Sequence, residues 1–510
     1  MSGVPVELSR LRERMAEIAD LGAVFGLMFW DQNTMMPPRG APARGDQLAT
    51  LTRVMHARTT HPEIGRLLDA LEPWAAGQDP DGIDARTIRW VRHDFEKSVR
   101  VPAELAADLS RAKALGQQAW EEARAADDFG RFRDALARHI ELRHRYVACF
   151  DGFAHPYDAL LDDFEPGLTT AELRPLLARL RDALVPLVAA TGDPDQRRND
   201  GVFAGPWEVD VQRAAVTRIA EAVGFDPDAW RLDPSLHPFA SSLSTSDIRL
   251  TTKYDINDFG MTLYSVLHEF GHGLYEAQLD PALYRTTLGE PVSLGVHESQ
   301  SRLWENNVGR SRPFCRWLHG QLSELLPGGL GAADADALFR AVNSVQPSLI
   351  RIEADETTYN LHIILRFELE LALMEGSLAV DDAPAAWNAG TERLLGLEVP
   401  TAAEGILQDV HWSAGLIGYF PTYTIGNLMS AQLWARLRAD LPGLDEGLER
   451  GDFGPLREWL REHVHRHGRI FEPRELLRRV TGEELQVEPL VDYLRGRLED
   501  AGLLAPGAVG

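Results

Sequence analysis

Residues 263–276 have the sequence LYSVLHEFGHGLYE, in which apolar residues recur every three or four positions. This spacing is typical of one face of a helix. His268 and His272 are four residues apart, so they share a helix face and can bind one metal ion. Glu269 follows His268 but points partly away from it, and its carboxylate can therefore accept a proton from water that the ion activates. The stretch predicts a metal site with its own general base.

Chance is the alternative explanation for two histidines at this spacing. In a chain of 510 residues with 16 histidines, a random match to the pattern is expected on the order of a few per cent of the time. The prediction therefore depends on a third ligand, because a catalytic zinc ion has three protein ligands and an open fourth position. The acidic residues downstream that could supply this ligand are Glu276, Glu290, Glu298 and Glu305.

Glu298 is the third ligand that we expect. It begins a second predicted helix after the turn-rich segment 287–295, so it can approach the ion from another direction. Glu276 continues the face of the first helix and is expected to be either a surface acid or an acid that lies behind the ligands. His297 could also bind metal, but it would add a fourth protein ligand and close the site.

Most of the remaining chain has the periodicity of amphipathic helices, and the strongest segments are 103–125, 130–150, 170–190, 333–345, 361–375 and 428–440. Residues 246–255 differ, because apolar and polar residues alternate there, which predicts a strand with Arg249 and Lys253 on its polar face. We expect an all-α protein with a small β element beside the site. A single domain over 1–510 is expected, with an N-terminal helical lobe at 1–235 and a lobe at 236–510 that contains the metal motifs.

Composition limits the partners of the chain. A formal charge of −25 argues against nucleic acid or an anionic membrane surface as a partner. The most apolar early run, residues 21–30, is too short to span a bilayer and has no signal-peptide pattern. The two cysteines fit no metal or redox motif, so we expect a cytoplasmic protein.

The sequence resembles the carboxypeptidase Taq family of zinc metallocarboxypeptidases along nearly its whole length. The motifs that support the resemblance are MFWDQNTMMPP (28–38), HPF (237–239), DIRLTT (247–252), HEFGH (268–272), HESQSR (297–302), IRIEADETTYNLH (350–362), GILQDVHW (405–412) and GYFPTYTIGN (418–427). Several motifs in the right order are more specific than one metal signature alone.

The resemblance implies a mainly helical zincin fold similar to neurolysin and angiotensin-converting enzyme, with a deep central groove. It implies His268, His272 and Glu298 as ligands of Zn²⁺ or Co²⁺, and Glu269 as general base and acid. It also implies a homodimer that removes single residues from peptide C-termini, with broad specificity and poor action on a terminal proline.

A carboxypeptidase must also bind the terminal carboxylate of its substrate, and arginine does this with two hydrogen bonds. The candidates are Arg249 and Arg351. The alternatives are a solvated strand face for Arg249 and a helical ion pair with Asp355 for Arg351, and only the resemblance favours substrate binding. His411 and Tyr423 are predicted to stabilise the oxyanion.

Asp409 and Gln408 are predicted to orient a metal-binding imidazole. Two rival functions stay open at this point. The first is an endopeptidase or dipeptidyl carboxypeptidase of the same fold. The second is a helical binding protein with a structural zinc site, which would have four protein ligands.

Overall fold

The computed structural model describes residues 4–192, 201–326, 330–505 and 507. These residues are mainly helical, as predicted. The α-helices are α1 (Val6–Thr34), α2 (Ala41–Thr59), α3 (Pro62–Ala75), α4 (Ile83–Arg100), α5 (Ala103–Ala126), α6 (Gly130–Val147), α7 (Pro156–Leu161), α8 (Thr170–Ala190), α9 (Val209–Val223), α10 (Phe259–Ala277), α11 (Leu294–Arg302), α12 (Arg312–Leu325), α13 (Ala335–Val342), α14 (Glu356–Glu375), α15 (Ala383–Leu395), α16 (Pro421–Asp440), α17 (Leu444–Arg450), α18 (Gly454–His463), α19 (Pro473–Thr481) and α20 (Glu488–Asp500).

The helices begin where the sequence offers side-chain caps. Thr169 and Glu172 form a reciprocal capping box at the start of α8. Asp258 caps α10 by accepting hydrogen bonds from the backbone N–H groups of Gly260 and Met261. Each of the six helical segments predicted from periodicity overlaps an observed helix, so those predictions are confirmed.

The β element is a three-stranded sheet of β1 (Trp230–Pro234), β2 (Ala240–Ser244) and β3 (Asp247–Thr252), in the order β1-β3-β2. The predicted strand is β3, which occupies the centre, pairs with β1 in parallel and pairs with β2 in antiparallel orientation. Its side chains at Ile248 and Leu250 are fully buried, because α10 packs against this face.

Glycine allows α10 to lie close to the sheet. A Cβ atom on Gly273 would lie 2.9 Å from the side chains of Ile248, Leu250 and Trp230. The ring of Trp230 is in turn stacked on Phe270, with centroids 5.6 Å apart. The sheet therefore fixes the position of the helix that contains the predicted metal ligands.

The chain forms two compact units, each assembled from three segments. The first comprises Met1–Val99, Gly201–Phe339 and Leu433–Glu484, and the second comprises Arg100–Asp200, Arg340–Gln432 and Leu485–Gly510. The first contains the sheet, α10 and α11, whereas the second is built around the almost fully buried α14. Within the described residues, no helix has both the length and the apolarity that a membrane span requires.

Candidate active site

The metal motif lies on α10 in the first unit. The rings of His268 and His272 are on one face of the helix, with centroids 4.8 Å apart. Glu298 lies on α11, which packs against α10. Its Oε2 is 3.7 Å from Nε2 of His268 and 3.5 Å from Nε2 of His272. The structure thus brings the three predicted ligands together.

The spacing of these atoms fits a bound metal ion. The three ligand atoms all lie within 4.8 Å of one another. Ligands of tetrahedral zinc, at bond lengths near 2.0–2.1 Å, are separated by about 3.3 Å, so the two distances from Oε2 of Glu298, 3.7 and 3.5 Å, need only a small contraction. Imidazole nitrogens and a carboxylate oxygen are also the donor set of catalytic zinc sites.

Arg302 fixes the orientation of the Glu298 carboxylate. Its Nε donates a 2.6 Å hydrogen bond to Oε1 of Glu298, which leaves Oε2 directed at the two histidines. Burial alone would raise the pKa of Glu298, but Arg302 and the two imidazoles outweigh it and hold the pKa well below its usual range. Glu298 is therefore a carboxylate at neutral pH, as a metal ligand must be.

Glu305 fixes the orientation of the His268 ring. Oε2 of Glu305 lies 2.8 Å from Nδ1 of His268 and 3.2 Å from a guanidinium nitrogen of Arg302. Burial would raise the pKa of Glu305, yet these cationic partners lower it to about 2. Because Nδ1 faces a carboxylate, Nε2 is the nitrogen that is directed toward the metal position.

Glu305 lies in a π-helical segment, Leu303–Val308, that follows α11. The sequence placed Glu305 among the candidate ligands but gave it no contact with His268. An α-helical continuation puts residues three or four apart on one face, and the extra residue per π-turn shifts that register. The signal that could have found Glu305 is the requirement of a metal-binding histidine for an acceptor at its second nitrogen.

Glu269, the predicted general base, is buried, with 6% of its surface exposed. Burial raises the pKa of Glu269 to about 7, while the positive charge of His268 opposes this effect. For His268 itself, burial lowers the pKa, but the carboxylates of Glu298 and Glu305 prevail and the pKa rises to about 8. Burial lowers the pKa of His272 to about 3, so this ring is neutral.

Arg249 of β3 has an internal partner. Its guanidinium donates two hydrogen bonds to the carboxylate of Asp247, at 2.9 and 3.1 Å, and stacks 4.5 Å above the ring of Trp30. Only 16% of the side chain is exposed, so Arg249 does not belong to a solvated strand face. The charge of this guanidinium is balanced by one carboxylate.

Arg351 lies in the second unit and has a different balance of charge. Its Nε and Nη2 donate to Oδ1 of Asp409 at 2.9 and 2.8 Å, while Nε of Arg366 donates to Oδ2 of the same carboxylate at 2.6 Å. Two guanidinium groups therefore share one carboxylate, and one positive charge is not neutralised by Asp409. These two cations outweigh burial and lower the pKa of Asp409 well below its usual range.

These contacts exclude one alternative that the sequence left open for this segment and correct one prediction. The sequence suggested an ion pair of Arg351 with Asp355, but the oxygens of Asp355 cap α14. It also suggested that Asp409 orients a metal-binding imidazole, whereas its oxygens accept from Arg351 and Arg366 and the acid at His268 is Glu305. The observed partners, Asp409 for Arg351 and Glu305 for His268, are distant in sequence, and no local spacing indicates them.

His411 and Tyr423 form a pair in the second unit. Nε2 of His411 lies 3.1 Å from the hydroxyl of Tyr423. Burial lowers the pKa of His411 to about 4, although Asp409 opposes this effect, so the ring is neutral at pH 7. A neutral imidazole and a phenol can both donate hydrogen bonds to a developing oxyanion.

The segment around His411 is held by a buried acid, Glu370, that the sequence analysis did not identify. Glu370 of α14 accepts hydrogen bonds from the hydroxyl of Tyr157, from Nε1 of Trp412 and from the backbone N–H of Gly418. The last two partners lie on either side of the turn that follows His411. Burial, partly offset by these donors, raises the pKa of Glu370 to about 7.

Comparison with known proteins identifies the family of the chain. The family described as carboxypeptidase Taq (M32) metallopeptidase matches residues 10–498. The chain is 41% identical to thermostable carboxypeptidase 1 of Thermus thermophilus over 495 residues, which is 95% of this chain and 96% of that protein. Carboxypeptidase 1 of Bacillus subtilis is 36% identical over 490 residues, covering 96% of this chain and 97% of its own length.

Solved structures show the same similarity over nearly the whole chain. The M32 carboxypeptidase of Deinococcus radiodurans R1 superposes with a TM-score of 0.93 at 41% identity, covering 98% of this chain and all of that one. Metallocarboxypeptidase 1 of Trypanosoma cruzi superposes with a TM-score of 0.92 at 34% identity, covering 96% and 99% of the two chains. The chain therefore belongs to the carboxypeptidase Taq (M32) family of metallopeptidases.

Proposed function

We propose that this protein is a zinc-dependent carboxypeptidase that releases single amino acids from peptide C-termini, with broad specificity and poor action on a terminal proline. The observation that supports it best is the group of His268, His272 and Glu298 with the buried Glu269 beside it. Cobalt is proposed as an alternative ion, since it accepts the same donors. The relatives that are named carboxypeptidases support the same function.

Three protein ligands leave one position for water or substrate, as in catalytic rather than structural zinc sites. When bound, the ion would supply Lewis acidity and make water a better nucleophile at neutral pH. Among the described residues, the metal group contains three side chains. His297, the potential fourth ligand, has its Nε2 3.2 Å from Oε1 of Glu276.

Proton transfer is assigned to Glu269. We propose that its carboxylate accepts a proton from the attacking water and then donates it to the amine that leaves. His411 and Tyr423 are proposed to donate hydrogen bonds to the oxyanion that forms from the scissile carbonyl. The neutral state of His411 suits this role, because a neutral ring can donate from one nitrogen without carrying a full charge.

We propose Arg351 rather than Arg249 as the group that binds the terminal carboxylate. Arg249 is already matched with Asp247, whereas Arg351 and Arg366 share Asp409 and retain an excess of positive charge. Arg351 is also fixed by a hydrogen bond from its Nη1 to the hydroxyl of Tyr359, at 3.0 Å. A rigid, positively charged guanidinium is suited to two-point binding of a carboxylate.

The choice between the arginines gives a first prediction. Arg351→Gln is expected to lower kcat/KM on a free peptide by about 100-fold, since charge-assisted hydrogen bonds of about 1.5–3 kcal/mol are lost. The same variant is expected to lose the preference for a free over an amidated C-terminus. Arg249→Gln is the matched control and is expected to keep that preference. Equal loss of preference in both variants, or in Arg249→Gln alone, would contradict the assignment.

Glu305 gives a second prediction. Glu305→Gln is expected to weaken Zn²⁺ binding about 10–100-fold, because it removes the carboxylate that holds Nδ1 of His268. Competition with a chromogenic chelator measures this affinity. The control is Glu324→Gln, since Glu324 forms an exposed ion pair with Arg218 in the same unit. Zn²⁺ binding of the Glu305 variant at wild-type strength would show that the carboxylate does not support the ligand.

The proposal also includes the oligomeric state and the cellular location of the protein. We propose a cytoplasmic homodimer without a nucleic-acid or membrane partner, in which 1–510 acts as one catalytic domain. A formal charge of −25 supports the absence of those partners, and the family resemblance supports the dimer. Light scattering on the purified protein is expected to give about twice the chain mass of 56.7 kDa. A mass equal to one chain would reject the dimer.

The function itself is tested with one peptide in three forms: free, N-acetylated and C-amidated. Loss of one C-terminal residue at a time, blocked by the amide and by a chelator, is the expected result in mass spectrometry. Cleavage of the amidated peptide would indicate an endopeptidase, and loss of two residues at a time would indicate a dipeptidyl carboxypeptidase. A protein that binds metal but leaves all three peptides intact would favour a structural zinc site.

A further inference from the structure

His272 lacks the support that His268 receives from Glu305. Its Nδ1 is buried and has no hydrogen-bond partner among the residues that the structure describes. Metal-binding histidines usually donate this N–H to a carboxylate or a carbonyl, which fixes the ring. Another contact must therefore hold the imidazole of His272 at the angle that the metal requires.

The contact that the structure provides is a stacked ring. The imidazole of His297 lies parallel to that of His272, with centroids 4.3 Å apart and an interplanar angle of 17°. His268 meets His272 at 82°, so this ring touches only an edge and fixes no plane. Flat stacking restricts the tilt of both rings at once, and among the described residues His297 is the ring that stacks on His272.

His297 is itself held in place from two sides. Its Nε2 lies 3.2 Å from Oε1 of Glu276, in an electrostatic contact that lacks the geometry of a hydrogen bond. Its ring also lies 5.8 Å from the ring of Tyr275, which is stacked on His465 with centroids 5.0 Å apart. The rings of His272, His297, Tyr275 and His465 thus follow one another in a column behind the metal ligand.

The end of this column that is remote from the metal ligands is fixed by the protein. The two nitrogens of His465 lie 2.7 Å from Oε1 of Gln278 and 2.8 Å from Oε1 of Gln300. Near His272, α10 and α11 approach so closely that a Cβ atom on Gly271 would lie 2.4 Å from the carbonyl oxygen of Gln300. This close approach allows His297, on α11, to stack on a ring of α10.

We propose that His297 is a positioning residue that fixes the plane of the metal-binding His272 by stacking. Its neighbour in sequence, Glu298, is a proposed ligand, so two consecutive residues of α11 serve the ion in different ways. Glu298 offers it an oxygen, and His297 offers its flat face to another ligand. The inference rests on the proposed ligand set of the preceding section.

The test compares two substitutions that fill similar volumes. His297→Phe keeps a flat ring, whereas His297→Leu does not, and His297→Met replaces the leucine variant if that one does not fold. His319→Ala is the control, because His319 belongs to the same unit and contacts the carbonyl oxygen of Ala333. Zn²⁺ affinity of the metal-stripped full chain is measured by chelator competition, with thermal unfolding of the metal-free protein beside it.

His297→Leu is expected to weaken Zn²⁺ binding about tenfold or more, as the loss of other ligand-supporting contacts does. His297→Phe is expected to stay within about threefold of wild type, because it retains the stacked face. The two variants are expected to share the same metal-free unfolding temperature. Equal Zn²⁺ affinities in the Phe and Leu variants, whether weak or normal, would overturn the proposal.

A different result is expected if the proposed set of metal ligands is wrong. His272→Ala removes the ligand itself and is expected to abolish tight Zn²⁺ binding. If wild type and His272→Ala bind Zn²⁺ equally well, the proposed metal site is wrong, and the role of His297 falls with it. If His272→Ala loses Zn²⁺ but the Phe and Leu variants do not differ, only the stacking inference is wrong.

Discussion

Replacing Glu269 by glutamine is expected to lower kcat by about 10³-fold or more while the metal content of the protein stays unchanged. Glutamine has the size and polarity of the native side chain, but its amide cannot accept the proton of the attacking water. General-base and general-acid roles are each worth about 10²–10⁴-fold, and Glu269 is proposed to fill both. Glu269 is not one of the three grouped ligands, so the ion is expected to remain.

The measurement is steady-state kinetics on a short peptide together with metal analysis of the same sample. We expect kcat of the Glu269→Gln variant to fall without a comparable change in KM, since substrate binding is assigned to other residues. The control is Glu324→Gln, since this glutamate forms an exposed ion pair with Arg218 in the same unit. A Glu269→Gln variant with near-normal turnover, or one that has lost its metal, would contradict the assignment.

His272→Ala is expected to have the second large effect, through loss of the metal itself. Its Nε2 is one of three ligand atoms, and no side chain of the described metal group replaces it. Metal affinity is expected to fall by more than about 100-fold, which exceeds the loss typical of residues that only support a ligand. Activity at a low metal concentration is then expected to disappear with the metal.

Addition of excess Zn²⁺ distinguishes the His272→Ala variant from the Glu269→Gln variant. The His272→Ala protein is expected to recover part of its activity when Zn²⁺ is added, whereas Glu269→Gln is expected to recover none. His467→Ala is a suitable control, since Nε2 of His467 contacts the carbonyl oxygen of Glu462 and the residue is a histidine of the same unit. Wild-type metal affinity in His272→Ala would remove this residue from the ligand set.

The sequence was informative wherever one helix or strand contains the whole signal. The spacing of His268 and His272 defines a helix face, and Asp258 marks the beginning of that helix. The alternation around Arg249 predicts a strand because a period of two needs only six residues to be visible. In each case the relevant residues are near neighbours in the chain.

The sequence was silent where the partners are distant in the chain. Arg351 and Arg366 meet at Asp409, which is 58 and 43 residues away from them. No local period encodes such a contact, since it depends on how α14 packs in the second unit. The flanking strands β1 and β2 were missed for a related reason, because WRLDP and ASSLS have little of the alternation that identifies β3.

The ring column behind His272 shows a third limit of sequence analysis. His297 was a possible ligand by chemistry, and its contacts with His272 and Glu276 become visible only when α10 and α11 are placed side by side. A histidine next to a metal ligand can bind the ion, support another ligand or fill the core. The sequence contains no feature that separates these roles.

Diffraction from zinc-loaded crystals, with data collected on both sides of the zinc absorption edge, tests the proposed metal ligands directly. We expect one strong anomalous peak per chain, from an ion bound by Nε2 of His268, Nε2 of His272 and Oε2 of Glu298, with Glu269 beside it but not bound. A peak at another position would contradict a catalytic metal site, and so would an ion that also binds His297 as a fourth protein ligand.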